Sequence, residues 1–305
     1  MIPYFDAHCD TAMPVHDKGG SLWENGFQLD LKRLSAYAPC AQVFALCVEQ
    51  GGGMAGETER VLDTLLGQLA ANAGAVRLCR SAAELDAAAG EGKIAALISI
   101  EGADRFNCDL ERLRALCGRG VRIVHLTWNH DTALAGAAMD SGGGLTAYGR
   151  EFVASAQGMG IVLDLSHLSE RGFWDVLDIA QKPVLAGHSN ARALCDHPRN
   201  LTDGQFLALM KQGGVAGLNF YENFLGLGRD LDAIVAHAEH WLGLGGEKAV
   251  CLGGDLDGIP HPPAGMDGAE SVGEVYNAML RKNWNEGLVR DIFYNNLREF
   301  FGRAL

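Results

Sequence analysis

The hexapeptide DAHCDT, Asp6 to Thr11, sets a histidine and an aspartate two residues apart at the end of the first apolar run. In an extended segment, side chains two apart share a face, so the His8 imidazole and the Asp10 carboxylate could converge on one cation. A lone His-x-Asp pair is more often an ordinary turn. Its weight comes from where the other ionisable residues fall. Glu101 follows the apolar run 94–100, His130 stands just past 121–126, His167 follows 161–165, His188 follows 184–187 and Asp255 follows 250–254. Imidazole and carboxylate donors suit zinc, with nickel, cobalt, manganese or iron as chemically acceptable occupants. His8, Asp10, Glu101, His167 and His188 exceed what one four-coordinate catalytic zinc with an open position can use, and they suffice for two ions sharing a carboxylate. Two ions ~3.5–4 Å apart would hold a hydroxide and polarise a carbonyl, so hydrolysis of an amide is the expected chemistry.

For these residues to meet, the elements that carry them must end in one place. Apolar or β-branched runs recur at Tyr4–His8, Ala41–Val48, Ile94–Ile100, Val121–Leu126, Ile161–Leu165, Val184–Gly187, Val215–Asn219 and Val250–Gly254, mostly separated by amphipathic segments of helical length. Ser81–Glu84 and Thr202–Gln205 have the spacing of a capping box at a helix start. This alternation predicts an α/β protein with a (β/α)8 TIM barrel; a doubly wound sheet would show the same alternation. Only in the barrel do all strand C-termini form one rim, and every candidate residue above follows a strand. Extra sequence occupies 11–40 and 51–80, the second stretch with room for a helix and the small strand VRLC. No internal repeat, low-complexity tract or proline-rich linker offers a boundary, so a single domain over 1–305 is expected.

With 305 residues, 48% of them hydrophobic, the chain can bury a large core. A formal charge of −13 repels nucleic acid and anionic membrane surfaces. No basic and apolar leader precedes the first strand and no run approaches a membrane span, so a cytoplasmic protein is expected. The eight cysteines form no Cys-x-x-Cys pair and read as reduced core residues. GGGMAG at Gly51–Gly56 formally fits a dinucleotide fingerprint, but the strand-like VRLC after it leads to Arg80 with no acid for a ribose. SGGGL at Ser141–Leu145 reads as a flexible lip of the pocket. His16, His125, His197, His237, His240 and His261 read as structural or exposed.

Taken together, DAHCDT, SIEGAD, LTWNH, DLSHLSE, GHSNARALCDHPRNLTD, GLNFY and GGDLDG resemble, in order and spacing, the renal (membrane) dipeptidase family of the amidohydrolase superfamily, in particular its bacterial soluble members. The likeness runs from Asp6 to Gly258 nearly without gaps, and NNLREFF closes the chain near residue 300. It implies a barrel of the metal-dependent hydrolase type holding two zinc ions, one bound by His8 and Asp10, the other by His167 and His188, with Glu101 bridging them. It further implies that His130 polarises the substrate carbonyl and that Arg199 pairs with a free C-terminal carboxylate. Asp255 would take a proton from the bridging hydroxide and pass it to the leaving amine. The planar fork of an arginine matches a carboxylate, and a carboxylate beside dications stays ionised and can act as a base. The expected activity is hydrolysis of dipeptides, with tolerance of a D-residue at the C-terminal position; a homodimer is compatible with it. A cyclic amidase or deaminase of the same superfamily would not need Arg199, and an idle binding barrel would not need the ligand set. The leader and lipid-anchor signal of the membrane forms are not expected here, and the cysteines do not suggest their disulfides. Loops Thr11–Cys40 and Asp131–Leu145 do not align with the family, which leaves substrate preference open.

Overall fold

The computed structural model describes residues 1–48, 54–226 and 228–305. Nine strands occur among them: β1 (Tyr4–Cys9), β2 (Cys40–Leu46), β3 (Val76–Leu78), β4 (Ile94–Ile100), β5 (Val121–His125), β6 (Val162–Asp164), β7 (Leu185–Ala186), β8 (Val215–Leu218) and β9 (Val250–Leu252). All pairings between them are parallel. β2 pairs with both β1 and β4, and β9 pairs back onto β1 through Asp6 and Leu252, so eight strands close into a barrel. The small strand VRLC is β3, outside the ring of eight. It borders Ile94–Ala96 at the start of β4, whose later residues Ile98–Ile100 border β5.

The strands read as unbroken apolar runs because both their faces are covered. Inside the barrel, Phe5, Val43, Leu97, Ile123 and Cys251 meet Leu297, Phe300 and Phe301 of the C-terminal helix, Asn296–Ala304. Phe301 stacks on Phe5 with ring centroids 5.5 Å apart. Each such buried aromatic contributes about 1.5–3 kcal/mol of transfer free energy, and together they plug the N-terminal end. The C-terminal rim is the end left open.

Thr202 forms the full capping box: its hydroxyl accepts from Gln205 N at 3.2 Å and Gln205 Oε1 accepts from Thr202 N at 2.9 Å. At the other expected box, Ser81 caps Glu84 N, but the Glu84 carboxylate reaches Arg80 N, one residue further back than the motif requires.

Three glycines set how closely the strands approach. A Cβ on Gly217 would stand 1.9 Å from Gly187 O, one on Gly253 1.7 Å from that same oxygen, and one on Gly187 2.2 Å from Asp164 Oδ2. Only glycine lets β7, β8 and β9 touch backbone to backbone at this level.

The 11–40 insertion folds as helices Ala12–Lys18 and Leu31–Leu34 and docks on the loop after β9, with Gln28 N donating to Asp257 Oδ1 at 2.7 Å. The 51–80 stretch supplies the helix Met54–Ala71 and then β3. Gly51–Gly53 of GGGMAG lie outside the described residues. SGGGL is not the free lip expected from its composition. Ser169 Oγ donates to Gly143 O, Leu145 N donates to Asp175 Oδ2 at 2.8 Å, and a bridge joins Ala135 to Leu145.

Candidate metal centre

β1 delivers His8 through an irregularity that strict alternation does not foresee. Phe5 and Ala7 face the barrel interior, yet His8 faces the site above them, because the register against β2 slips between Asp6 and Cys9. Such a bulge re-aims a side chain. Asp6 pins it, accepting from His8 N and from Gly254 N, each at 2.9 Å.

Glu101, the first residue after β4, is the hub. Its Oε1 lies 2.9 Å from His167 Nε2, 3.2 Å from His188 Nε2 and 3.5 Å from His8 Nε2. His8 Nε2 is also 3.6 Å from Asp10 Oδ1 and 3.8 Å from Asp255 Oδ1. Five strand ends thus bring six ionisable side chains to one point. His167 and Asp255 do so from left-handed backbone, with φ of 68° and 61°. That conformation costs a non-glycine residue on the order of 1–3 kcal/mol and persists where the surroundings over-determine it.

The charges are strongly coupled. Burial alone would lower the His8 imidazolium, but Glu101 and then Asp10 outweigh it and hold it up at about 10. Burial, followed by the nearby Arg199 cation, brings His167 down to about 3, and burial with the His8 charge keeps His188 well below the usual range. Glu101 resists the upward push of burial and stays well below an ordinary glutamate because His8 and His167 face it. Burial raises the Asp255 carboxyl to about 7; His8 opposes the rise, while Asp10 and Glu101 reinforce it.

Both ring nitrogens of His8 and of His188, together with Asp10 Oδ1, are buried with no hydrogen-bond partner. Leaving such groups unsatisfied costs about 1–3 kcal/mol each. Imidazole nitrogens and carboxylate oxygens at this spacing are the donor set of a divalent transition ion, so the residues fit a metal. A consequence is measurable: an imidazolium cannot ligate. Metal uptake at pH 7 is therefore expected to release about one proton from His8 and a further fraction from Asp255, with affinity weakening as pH falls. Calorimetry in buffers of different ionisation enthalpy reads the proton count, and uptake with no release would show His8 already neutral.

The cluster forms the floor of a cavity of about 470 Å³, lined also by Met13, Trp128, Met139, His197, Arg199 and Phe224. Arg199 is 4% exposed, and its Nη2 donates to His188 O at 3.4 Å. Its Nε has no partner, and its guanidinium lies 5.5 Å from the centre of the Phe224 ring. Burial pulls it down to about 10, so it remains a cation at neutral pH. Asp255 and Asp257 both line the cavity, but Asp257 is committed to Thr11 Oγ1 at 2.6 Å and to Gln28 N. Asp255 accepts from Asn219 Nδ2 at 3.1 Å through one oxygen and turns the other toward His8.

His130 does not join this group. Its side chain is 54% exposed and its Nδ1 lies 3.9 Å from Asp140 Oδ2, because the chain turns after Leu126 and is fastened by Thr132 Oγ1 donating to Leu126 O. Trp128 and Asn129 face the cavity from that strand end instead. His125, set aside as structural or exposed, is fully buried on the centre's flank. Its Nε2 is 3.2 Å from Asp164 Oδ2, its Nδ1 3.2 Å from Ile100 O, and its ring 5.4 Å from those of His8 and His188. It is the penultimate residue of the run 121–126, where the apolar sequence around it conceals its place beside the site. His197 also proves to be a cavity residue, its Nδ1 accepting from Arg199 N at 3.2 Å.

A closed parallel barrel whose C-terminal rim gathers buried imidazoles and carboxylates in a metal-ligand pattern, beneath one open cavity, is the architecture of a metal-dependent hydrolase. The family model for membrane dipeptidase (peptidase family M19) matches residues 1–303, and the chain belongs to this family of metallo-dipeptidases. A Rhodobacter sphaeroides metallopeptidase, solved with a phosphinate mimic of the dipeptide L-Ala-D-Ala, superposes with a TM-score of 0.91 at 27% identity, covering 100% of this chain and 99% of that one. An uncharacterized Klebsiella pneumoniae protein from the pqqA 5′ region is 39% identical over 241 residues, 75% of this chain and 89% of its own length. Dipeptidase 3 of Macaca fascicularis is 28% identical over 243 residues, which is 75% of this chain and 50% of the macaque protein. Among the described residues, no helix is long and apolar enough to cross a membrane.

Proposed function

We propose that this chain is a zinc-dependent dipeptidase acting in the cytoplasm on dipeptides with a free C-terminal carboxylate, and that it accepts a D-residue at that position. The observation that carries the reading is the approach of three imidazoles from three strands to within 3.5 Å of one Glu101 oxygen, in the same cavity as a buried arginine. His8, Asp10, Glu101, His167 and His188 would hold two zinc ions, which when bound supply Lewis acidity and lower the pKa of water. Arg199, pre-desolvated and with Nε unpaired, offers its fork to the substrate carboxylate. Asp255, with one oxygen fixed by Asn219, uses the other to take a proton from the attacking water and return it to the departing amine. Support for the D-residue comes from the ligand of the Rhodobacter relative. Eight free thiols suit a reducing compartment.

The test compares L-Ala-D-Ala, L-Ala-L-Ala and their C-terminal amides, before and after chelation and zinc restoration, alongside metal analysis of the purified protein. About two zinc ions per chain and zinc-dependent cleavage of the free acids support the reading. Cleavage unaffected by chelation, or faster opening of cyclic amides than of dipeptides, overturns it. Arg199→Met should raise KM for dipeptides roughly 10–100-fold, the worth of a charged hydrogen bond, and erase the preference for acid over amide. An unchanged acid-to-amide ratio would move carboxylate recognition to another residue.

A further inference from the structure

We propose that Asn129 is the residue at the β5 end that serves the reaction: its amide oxygen fixes the tautomer of His167, and its amide N–H donates to the substrate carbonyl. The assignment rests on the dipeptidase reading above. Asn129 Oδ1 lies 2.9 Å from His167 Nδ1, while Nε2 of the same ring lies 2.9 Å from Glu101 Oε1. A nitrogen that is to ligate a cation carries no proton, so the ring proton belongs on Nδ1 and needs an acceptor there. This requirement orients the amide, oxygen toward the ring and NH2 away from it. The other two imidazoles around Glu101 have no such support, since Nδ1 of His8 and Nδ1 of His188 are without partners. Asn129 is therefore the side chain that orients a histidine of this cluster from behind, the part an outer partner plays at a metal site.

The second half of the role follows from the first. With Oδ1 committed, the Nδ2 hydrogens are left for the cavity that Asn129 lines, and no hydrogen bond to Nδ2 occurs among the described residues. A carbonyl entering above Glu101 and His167 meets this donor. His130, the donor that the family likeness implied, is turned out to solvent four residues past the end of the apolar run 121–126.

Two substitutions separate the halves. Asn129→Leu removes acceptor and donor; Asn129→Asp keeps an acceptor for Nδ1–H and has no N–H to give. Zinc affinity is measured by chelator competition and kcat and KM at saturating zinc, with circular dichroism confirming the fold. Asn129→Leu should hold zinc ~10–100-fold more weakly. At saturating zinc its kcat should still be ~10²–10³-fold low with KM little changed, the usual cost of one oxyanion donor. Asn129→Asp should recover parental zinc affinity but not kcat, and it stands in if the leucine variant does not fold. Parental kcat in either variant at saturating zinc overturns the donor role, and parental zinc affinity in Asn129→Leu overturns the positioning role. A His130→Ala variant that lost turnover to the same degree would return the donor role to His130. Should the parent itself leave dipeptides intact, the functional reading fails, while the chelator competition still decides the positioning role.

Discussion

Asp255→Asn is expected to hydrolyse dipeptides ~10²–10⁴-fold more slowly than the parent while its metal content is unchanged. The substitution keeps shape and volume, and Asn219 can still bond the new side chain. What disappears is a base. In the metal-free protein burial lifts this carboxyl to about 7, and a neighbouring dication would hold it ionised, ready to accept a proton near neutral pH. Metal content and kcat measured on one preparation decide the matter. Two metals with little turnover supports a proton carrier; one metal makes Asp255 a ligand, as its 3.8 Å approach to His8 Nε2 would allow; two metals with full turnover removes it from the chemistry.

Glu101→Gln should be more severe, because one carboxylate oxygen is the meeting point of three imidazoles. An amide of the same size cannot bridge two cations, so metal retention should fail and turnover should drop by at least ~10³, several kcal/mol of Lewis-acid stabilisation at ~1.4 kcal/mol per decade. The fold should survive, since the core plugged by Phe300 and Phe301 lies at the opposite end of the barrel. The metal-free protein gives a second readout. His8 has a folded value of about 10 against 6.5 for a free histidine, so its contribution to stability is fully present below about 6.5 and is lost as pH rises toward 10. Glu101 is its largest favourable partner. Thermal unfolding of the metal-free parent should therefore weaken between those limits, and the Glu101→Gln profile should be flatter across the same window. Parallel profiles would mean that Glu101 does not hold the His8 proton.

Much of this arrangement could be read from the chain because parallel strands covered on both faces are apolar without interruption, so a polar residue directly after a run marks the rim. Glu101, His188 and Asp255 were visible for that reason, and His167 stands one residue further past its run. Arg199 was not, since it lies in the irregular segment between β7 and the helix Asp203–Lys211, where no period constrains it; only the family likeness pointed to it. His125 was hidden inside an apolar run, and its burial against Asp164 depends on a partner 39 residues away in sequence. His130 stands outside the cavity that Asn129 lines because the direction of a turn after a strand is set by later contacts, here Thr132 on Leu126 O and Asp131 on the backbone of Ala137. The slip in β1 leaves no mark in composition either; it is imposed by Asp6 accepting two backbone amides.

The contact of Gly187, Gly217 and Gly253 divides the molecule into a part that can vary and a part that cannot. Position 187 precedes His188 directly, so any side chain forced in at 217 or 253 would displace the carbonyl of its immediate neighbour. Saturation libraries at 187, 217 and 253 should return glycine alone among active clones. Met139 and Ile259, by contrast, reach the cavity from connecting loops that share none of these contacts. In a diverging lineage or a directed-evolution campaign, new substrate ranges would arise by rewriting those loops, with the floor inherited unaltered.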